Sequence, residues 1–197
     1  MSSVVATITT SVDGYIAGPN DGPGMGLGER GERLHYWVFG GPWTYEQEHF
    51  GKAVGEDAAF LEEGMRRVGA VVAGRATYEA AEHWGGENPF GMPLFVVTHR
   101  PGEAPEQGFT FVGSIEEGVA RAVDAAGEKD VSVMGGADVI RQALKAGLVD
   151  ELVSSIAPVI LGRGKRLFDR FDEDIELEPI AVRQSPLATH VSYRVKR

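Results

Sequence analysis

Short apolar runs rich in β-branched residues alternate with helical patterns through most of the sequence up to Asp150. A run of this kind predicts a buried strand, and apolar residues at helical spacing predict a helix packed on a sheet. This alternation is typical of a mostly parallel sheet with helices on its faces. The predicted strands are VVATITT from Val4, VGAVVAG from Val68, PLFVVT from Pro93, FTFVG from Phe109 and DVSVMG from Asp130.

The helical patterns lie between these runs. One spans about Asp57 to Arg67, and a short one begins near Arg75. A third opens with Ser114 and Glu117, which have the spacing of a capping box. A fourth follows Gly136. The segment 11–51 is rich in glycine and proline and has no sustained period, so it predicts a long loop, which in a compact domain is usually functional.

The pattern changes after Asp150 to strands alone, ELVSSIAPVI, IELEPIAVRQ and THVSYRVK. An antiparallel extension of the same sheet explains this change better than a second domain. A chain of 197 residues can bury one substantial core. We therefore expect a single α/β domain over residues 1–197.

Composition excludes several classes of function. The net charge of −10 argues against a nucleic-acid partner, because phosphate backbones need a basic surface. Without cysteine there is no disulfide framework or thiolate nucleophile, and the five histidines lack paired metal-ligand spacing, so no metal is expected. No apolar run is long enough for a membrane span, and the N-terminus does not resemble a signal peptide. A cytoplasmic protein is the expectation.

Three strand ends combine backbone freedom with polar side chains. Gly74 and Arg75 end one strand and open a helix, Thr98, His99 and Arg100 leave a second, and Gly135 with Gly136 follows a third. Open α/β sheets bind ligands at the carboxyl ends of parallel strands, and helix N-termini suit phosphate. Each junction alone is a common turn. Together they predict a site for a phosphorylated ligand.

These junctions, in this order, resemble the dihydrofolate reductase superfamily, and within it the RibD C-terminal type, the reductase domain of bacterial riboflavin biosynthesis. The matching segments are SVDGYIAG at Ser11, VVAGRATYE at Val71, FVVTHRP at Phe95, SVMGGADVIRQALKAGLVDEL at Ser132 and APVILGRGKRLF at Ala157. The resemblance implies a dihydrofolate reductase-like three-layer sandwich, commonly a homodimer. It also implies NADPH bound across the sheet and a cis peptide between Gly135 and Gly136.

The resemblance also assigns roles to residues. Gly74, Arg75 and Thr77 would lie at a phosphate, and Thr98, His99 and Arg100 near the adenosine 2′-phosphate. LGRGKRLF, with Leu161, Gly162 and Gly164, would border the substrate pocket. The path of the pyrophosphate and nicotinamide would be lined by Gly135, Gly136, Ala137, Asp138, Val139 and Ile140.

Two carboxylates are candidates for a catalytic proton donor. Asp13 follows the first strand and would lie near the nicotinamide, although Asp-Gly is also a common turn. Asp57 lies on the apolar face of its predicted helix, within one residue of the catalytic carboxylate of dihydrofolate reductases when counted back from Gly74. A partly buried carboxyl there could protonate a substrate. Its alternative role is an N-cap, which Asp favours.

Trp37 and Trp43 fall in the long glycine-rich segment. They are either packing residues or, in the case of Trp37 especially, a surface on which a flat heterocycle stacks. Three functions remain open at this point. The first is an NADPH-dependent reductase of a pyrimidine- or pteridine-like substrate, with 5-amino-6-(5-phosphoribosylamino)uracil reduction the nearest known activity. The second is a dihydrofolate reductase-type enzyme that uses Asp57, and the third is a non-catalytic nucleotide-binding protein.

Overall fold

The computed structural model describes residues 2–47, 50–100 and 107–196, and an eight-stranded sheet runs through them in the order β5-β4-β3-β6-β1-β7-β10-β9. Two further strands, β2 and β8, pair separately. The strands are β1 (Val4–Ser11), β2 (Tyr15–Ala17), β3 (Val68–Gly74), β4 (Leu94–Val97), β5 (Phe109–Val112), β6 (Asp130–Val133), β7 (Glu151–Ala157), β8 (Lys165–Arg166), β9 (Leu177–Gln184) and β10 (Thr189–Val195). The helices are α1 (Tyr36–Phe39), α2 (Gly55–Arg67), α3 (Arg75–Ala80), α4 (Ile115–Ala126) and α5 (Ala137–Lys145), with 3-10 segments at Gly31–His35 and Glu82–Gly86.

The pairing confirms the expected class, a mostly parallel α/β sheet with antiparallel strands at its C-terminal end. From β5 across to β7 every neighbouring pair is parallel. β10 runs antiparallel to β7, and β9 antiparallel to β10. The first strand after Asp150 is therefore not part of the antiparallel extension. α5 carries the chain back across the sheet before β7, so β7 lies parallel to β1.

One face of the sheet is covered by α4 and α5. Aliphatic side chains from β1, β3, β6 and β7 meet the inner faces of the two helices there. Each such buried side chain contributes roughly 1.5–3 kcal/mol. α4 begins at the predicted cap, where Ser114 Oγ accepts a hydrogen bond from the Glu117 amide and Glu117 accepts one from the Gly113 amide.

The opposite face is only partly filled. Tyr78 of α3 packs against Val71, Leu94, Val96 and Phe109 over the β3-β4-β5 end. Over β1, β7 and β10 the sheet faces a cavity, which α2 borders on its far side. Asp57 is the buried residue of α2. This helix therefore lies against a cavity rather than a core.

α2 begins two residues earlier than the sequence predicted, at Gly55. Its N-cap is Val54, which makes no side-chain capping hydrogen bond. The alternative in which Asp57 caps the helix is therefore wrong. Asp57 instead lies in the first turn with Glu56, where negative charge is favourable, and its side chain is turned inward.

The glycine-rich segment 11–51 is more structured than predicted. Within its described residues it forms β2, the 3-10 segment Gly31–His35 and α1, and β2 pairs antiparallel with the distant β8. These elements are too short for periodicity to reveal them. Among the residues that the structure describes, no helix is long and apolar enough to cross a membrane.

Candidate active site

The carboxyl ends of β4, β3 and β6 lie side by side, so the three junctions singled out in the sequence meet at one edge of the sheet. Two concave regions open from this edge. A groove of about 1190 Å³ runs outward from it, and a cavity of about 680 Å³ lies beneath α2. Both are lined by Gly136 and Ala76, and by Asp21 and Lys165, which form an ion pair. Groove and cavity therefore meet at the glycine pair.

The glycine pair is held by a close approach of β3. The peptide between Gly135 and Gly136 is cis, as expected, and Gly135 has a φ of 106°, which favours glycine. The Gly74 amide donates to the Gly135 carbonyl at 2.7 Å. A β-carbon on Gly74 would lie 2.7 Å from Val139 Cγ2. Glycine at position 74 thus allows the end of β3, the glycine pair and the start of α5 to touch.

The groove brings together most of the residues assigned to a cofactor. Two helix N-termini border it, that of α4 with Gly113 and Ser114, and that of α5 with Ala137, Asp138 and Val139. Gly136, the N-cap of α5, makes no side-chain capping bond, so the first amides of this helix are available to an anion. The other predicted cofactor residues that line the groove are Gly74, Arg75, Thr98, His99, Arg100 and Gly136.

The groove is lined by slightly more basic than acidic side chains, although the whole chain is acidic. Arg75 pairs with Glu79 at 2.8 Å, and Arg100 approaches the same carboxylate at 3.6 Å. The Arg100 amide donates to the buried Thr98 hydroxyl at 3.1 Å, which fixes the turn after β4. The basic lining residues are Arg75, Arg100, Arg141, Lys165 and Arg166, and the acidic ones are Asp21, Glu79, Asp138 and Asp169. Such a lining can hold phosphate despite the net charge of −10.

The cavity combines an aromatic wall with a hydroxyl-rich floor. Trp37 and Phe60 line its wall, and Trp37 Nε1 donates to Thr9 Oγ1 at 3.2 Å. The floor is the sheet itself, where Thr7 and Ser132 hydroxyls lie 3.2 Å apart. Further hydroxyls on this floor belong to Thr9, Ser155 and Ser192. Flat apolar rings with polar edges match this kind of lining.

A buried hydrogen-bonded chain ends at the cavity floor. Asp57 Oδ1 lies 2.8 Å from His190 Nε2, and His190 Nδ1 lies 2.8 Å from Ser155 Oγ. Their exposed fractions are 2%, 1% and 3%. His190 and Ser155 line the cavity, whereas Asp57 does not. Asp57 therefore reaches the cavity only through His190.

Asp13 is engaged by hydrogen-bond donors. It accepts from Ser11 Oγ at 2.7 Å, the Leu161 amide at 3.0 Å and the Gly162 amide at 2.8 Å. Burial alone would raise the pKa of Asp13, but these hydrogen bonds outweigh it and lower the pKa to about 2. The carboxylate is therefore ionised near neutral pH. Its geometry suits an anchor for the segment after β7 better than a proton donor.

His35 is a further histidine on the cavity wall. Burial lowers the pKa of His35 to about 4, because desolvation penalises its charged form. The imidazole is therefore neutral at physiological pH. It supplies a polar edge to the cavity without adding positive charge.

Some residues lie away from the positions that the sequence suggested. Ile140 is fully buried in the core beneath α5, because the first turn of this amphipathic helix places it on the apolar face. Thr77 and Gly135 line the cavity rather than the groove. Gly164 lines the groove, and the amides of Leu161 and Gly162 bind Asp13 instead of lining the cavity.

Sequence reasoning missed Ser155 and His190. Both lie in strands whose alternation simply predicts burial, and 35 and 133 residues separate the partners of the two hydrogen bonds. One signal was present in the sequence. A histidine and an aspartate on elements predicted to be buried need hydrogen-bond partners, which indicates that they could pair with each other.

The fold defines a dihydrofolate reductase-like class of protein. Dihydrofolate reductase from Enterococcus faecalis, solved with NADP(H) and RAB-propyl, is 19% identical and has a TM-score of 0.60 over 99% of this chain and 97% of that chain. At this identity the similarity concerns the fold.

The family match is more specific than the similarity of fold. The RibD C-terminal domain family matches residues 2–190, and the chain belongs to that family. A putative riboflavin biosynthesis protein from Shewanella sp. PV-4 is 26% identical, with a TM-score of 0.71 over 99% of each chain. The Bacillus subtilis (strain 168) protein YwjB is 24% identical over 127 residues, which are 64% of this chain and 73% of YwjB.

Proposed function

We propose that this protein is an NADPH-dependent reductase that delivers hydride to a flat pyrimidine- or pteridine-like substrate. The observation that carries the proposal is the meeting of groove and cavity at Gly136. A dinucleotide held along the groove would have one end at the mouth of the cavity. Hydride transfer depends mainly on holding donor and acceptor carbons together away from water.

The groove residues support a dinucleotide phosphate. The α5 N-terminus offers amides to the pyrophosphate, and Gly74 lets the backbone approach closely. Thr98, His99 and Arg100 lie together beyond β4 and suit the 2′-phosphate that distinguishes NADPH from NADH. When bound, the nicotinamide supplies the hydride. The protein's own residues orient it and exclude water.

The cavity supports a heterocyclic acceptor with several polar edges. Its wall offers Trp37 and Phe60 as apolar ring surfaces, and its floor offers hydroxyls that can donate or accept hydrogen bonds. Among known activities, reduction of 5-amino-6-(5-phosphoribosylamino)uracil fits family and cavity best. The second candidate, dihydrofolate reduction, is supported by the shared fold. However, Asp57 lies behind His190 and cannot touch a pterin directly.

Two measurements on the purified protein test the proposal. NADPH and NADH binding are followed by fluorescence, and NADPH oxidation is then followed with the aminouracil substrate and with dihydrofolate. We expect NADPH to bind more tightly and the aminouracil to be reduced. Binding without oxidation of either substrate would favour a nucleotide-binding protein without turnover, and failure to bind NADPH would exclude all reductase assignments.

Cofactor preference has a matched control in this chain. Arg100→Ala should weaken NADPH about five- to tenfold and NADH hardly at all, because an exposed charge contributes about 1 kcal/mol. Arg194 has nearly the same exposure, 60% against 59%, and also lies near a glutamate, but it is on β10 and does not line the groove. Arg194→Ala should leave both affinities unchanged. Equal losses of NADPH and NADH in Arg100→Ala would contradict the 2′-phosphate assignment.

A further inference from the structure

A hydrogen-bonded chain runs from Asp57 through His190 to Ser155. Three polar side chains from α2, β10 and β7 are all at least nine-tenths buried, and two of them, His190 and Ser155, line the cavity. Burying such groups costs stability even when they are paired, and apolar residues of similar size often serve equally well. A hydrogen-bonded network of side chains that begins in the protein interior and ends at a cavity is arranged to act on a ligand bound there.

The imidazole in the middle of this chain is held in one orientation. Phe60 stacks on the His190 ring with centroids 3.9 Å apart and an angle of 14°, and Trp37 meets its edge at 4.8 Å. Both nitrogens have a partner at 2.8 Å. Rotation of the ring would break both hydrogen bonds. Protons, rather than side chains, are the parts of this network that can move.

The protonation state of the Asp57–His190 pair determines whether the Ser155 hydroxyl donates its hydrogen bond to His190 or toward the cavity. When Asp57 is ionised and His190 neutral, Nε2–H donates to Asp57 and Nδ1 accepts from Ser155. Ser155 then offers only lone pairs to the cavity. When the pair gains one proton, Nδ1–H donates to Ser155, and the Ser155 hydroxyl proton turns toward the cavity.

We infer that Ser155 donates a proton to the substrate. His190 and Asp57 are positioning residues through which Ser155 is reprotonated. This inference rests on the proposed reductase function. As hydride from NADPH arrives at an acceptor carbon, an adjoining substrate nitrogen takes the Ser155 hydroxyl proton. Ser155 Oγ takes the proton from His190 Nδ1, and His190 keeps its Nε2 proton toward Asp57. The substrate gains one hydride and one proton, and the pair loses one proton, which water in the open cavity restores.

The groups packed around His190 are either paired or uncharged. From β9, Arg183 lies beside His190 in the strand register but is directed to Glu56 and Glu63 of α2, which neutralise it. From the 3-10 segment, His35 lines the cavity in its neutral form, because burial lowers its pKa to about 4. From β7, Ser155 is the neighbour, and from α1 the uncharged Trp37.

The first test needs no substrate. In protein carrying isotope-labelled histidine, the ring-nitrogen signals of His190 are identified by their loss in His190→Gln and followed by NMR between about pH 5 and 9. We expect the neutral ring to carry its proton on Nε2. Ser155→Ala should shift the Nδ1 signal toward that of a nitrogen without a hydrogen bond. Ser154→Ala, on the same strand but absent from the cavity lining, should not.

The outcomes of this test are distinct. A neutral His190 protonated on Nδ1 would overturn the inference, because Ser155 would then face the cavity as a donor at every pH. An Nδ1 signal that ignores Ser155→Ala would also overturn it. Neither result depends on whether NADPH or any acceptor is the right one, so this arm separates the inference from the proposed function.

The second test measures NADPH oxidation with 5-amino-6-(5-phosphoribosylamino)uracil as the acceptor. Ser155→Ala and Asp57→Asn should each slow the hydride step about 10²-fold or more and remove its rise toward acid pH, as expected when a general acid is lost. Ser155→Thr keeps the hydroxyl and should recover most of the rate, and Ser154→Ala should match the parent. A Ser155→Ala enzyme with the parent pH profile would overturn the inference.

Discussion

Replacing Gly74 by alanine tests how the end of β3 fits against the glycine pair. Its φ of −85° suits any residue, so the backbone permits the change. The new β-carbon would lie 2.7 Å from Val139 Cγ2, whereas carbon atoms pack best at about 3.5–4.0 Å, which leaves an overlap of about 1 Å. Overpacking of this kind costs about 1–3 kcal/mol. For a chain of this size that lowers Tm by about 2–12 °C.

Relief of the overlap displaces Val139, and with it the start of α5, which borders the groove. NADPH binding should therefore weaken along with stability. The assay is thermal unfolding plus a fluorescence titration on Gly74→Ala, on Val139→Ala and on the double variant. In the double variant the clashing methyl is absent, so the coupling energy should be favourable and NADPH affinity should recover relative to Gly74→Ala.

Gly64→Ala serves as the matched control, because a β-carbon at this position of α2 meets nothing within 4 Å. It should leave NADPH binding unchanged and raise stability slightly, as glycine-to-alanine changes inside helices do. Parent-like melting and NADPH affinity in Gly74→Ala would refute the argument from close approach. Additive effects in the double variant would show that Val139 is not the residue displaced.

Further predictions concern Asp13, Trp37 and helix α2. Stability supplied by Asp13 should be complete above its ordinary pKa of 3.8 and be lost as pH falls through about 2, so Asp13→Asn should flatten acid unfolding followed by circular dichroism. Trp37→Phe keeps a ring but loses the hydrogen bond to Thr9, which should cost about 0.5–1.5 kcal/mol in denaturant unfolding. Substrate binding should slow hydrogen exchange in α2 more than in α4, because α2 borders the cavity.

Each of these three predictions has a result that would contradict it. An acid transition that is the same in Asp13→Asn and the parent would show that the carboxylate anchors nothing. Unchanged denaturant stability in Trp37→Phe would mean that the Thr9 hydrogen bond contributes nothing net. Equal protection of α2 and α4 on substrate binding would place the ligand outside the cavity.

The parts of the site that local sequence could reveal are the residues that directly follow the parallel strands. Gly74, Thr98 and Gly135 each follow an apolar run directly, and the rule that parallel strands end at one edge places them together without further information. The capping residues Ser114 and Glu117 were likewise visible, because their spacing is itself the hydrogen-bonding geometry. The sheet class followed from the same alternation of strand and helix.

Long-range pairing is what the sequence did not reveal. β2 and β8 are too short to carry a pattern, and their contact joins distant segments. Asp57 was singled out for its place on a helix, but its hydrogen-bond partner His190 comes from the far end of the chain. Asp13 was a candidate acid, and the amides of Leu161 and Gly162 that bind it lie far along the chain. Such roles are set by tertiary contacts rather than by residue type.

The most direct test of the central claim is a crystal structure with NADP⁺ bound. The account predicts the nicotinamide ring at Gly136, where groove and cavity meet, with the adenosine 2′-phosphate beside Arg100. NADP⁺ in the reverse direction, or a nicotinamide that does not reach the mouth of the cavity, would contradict it.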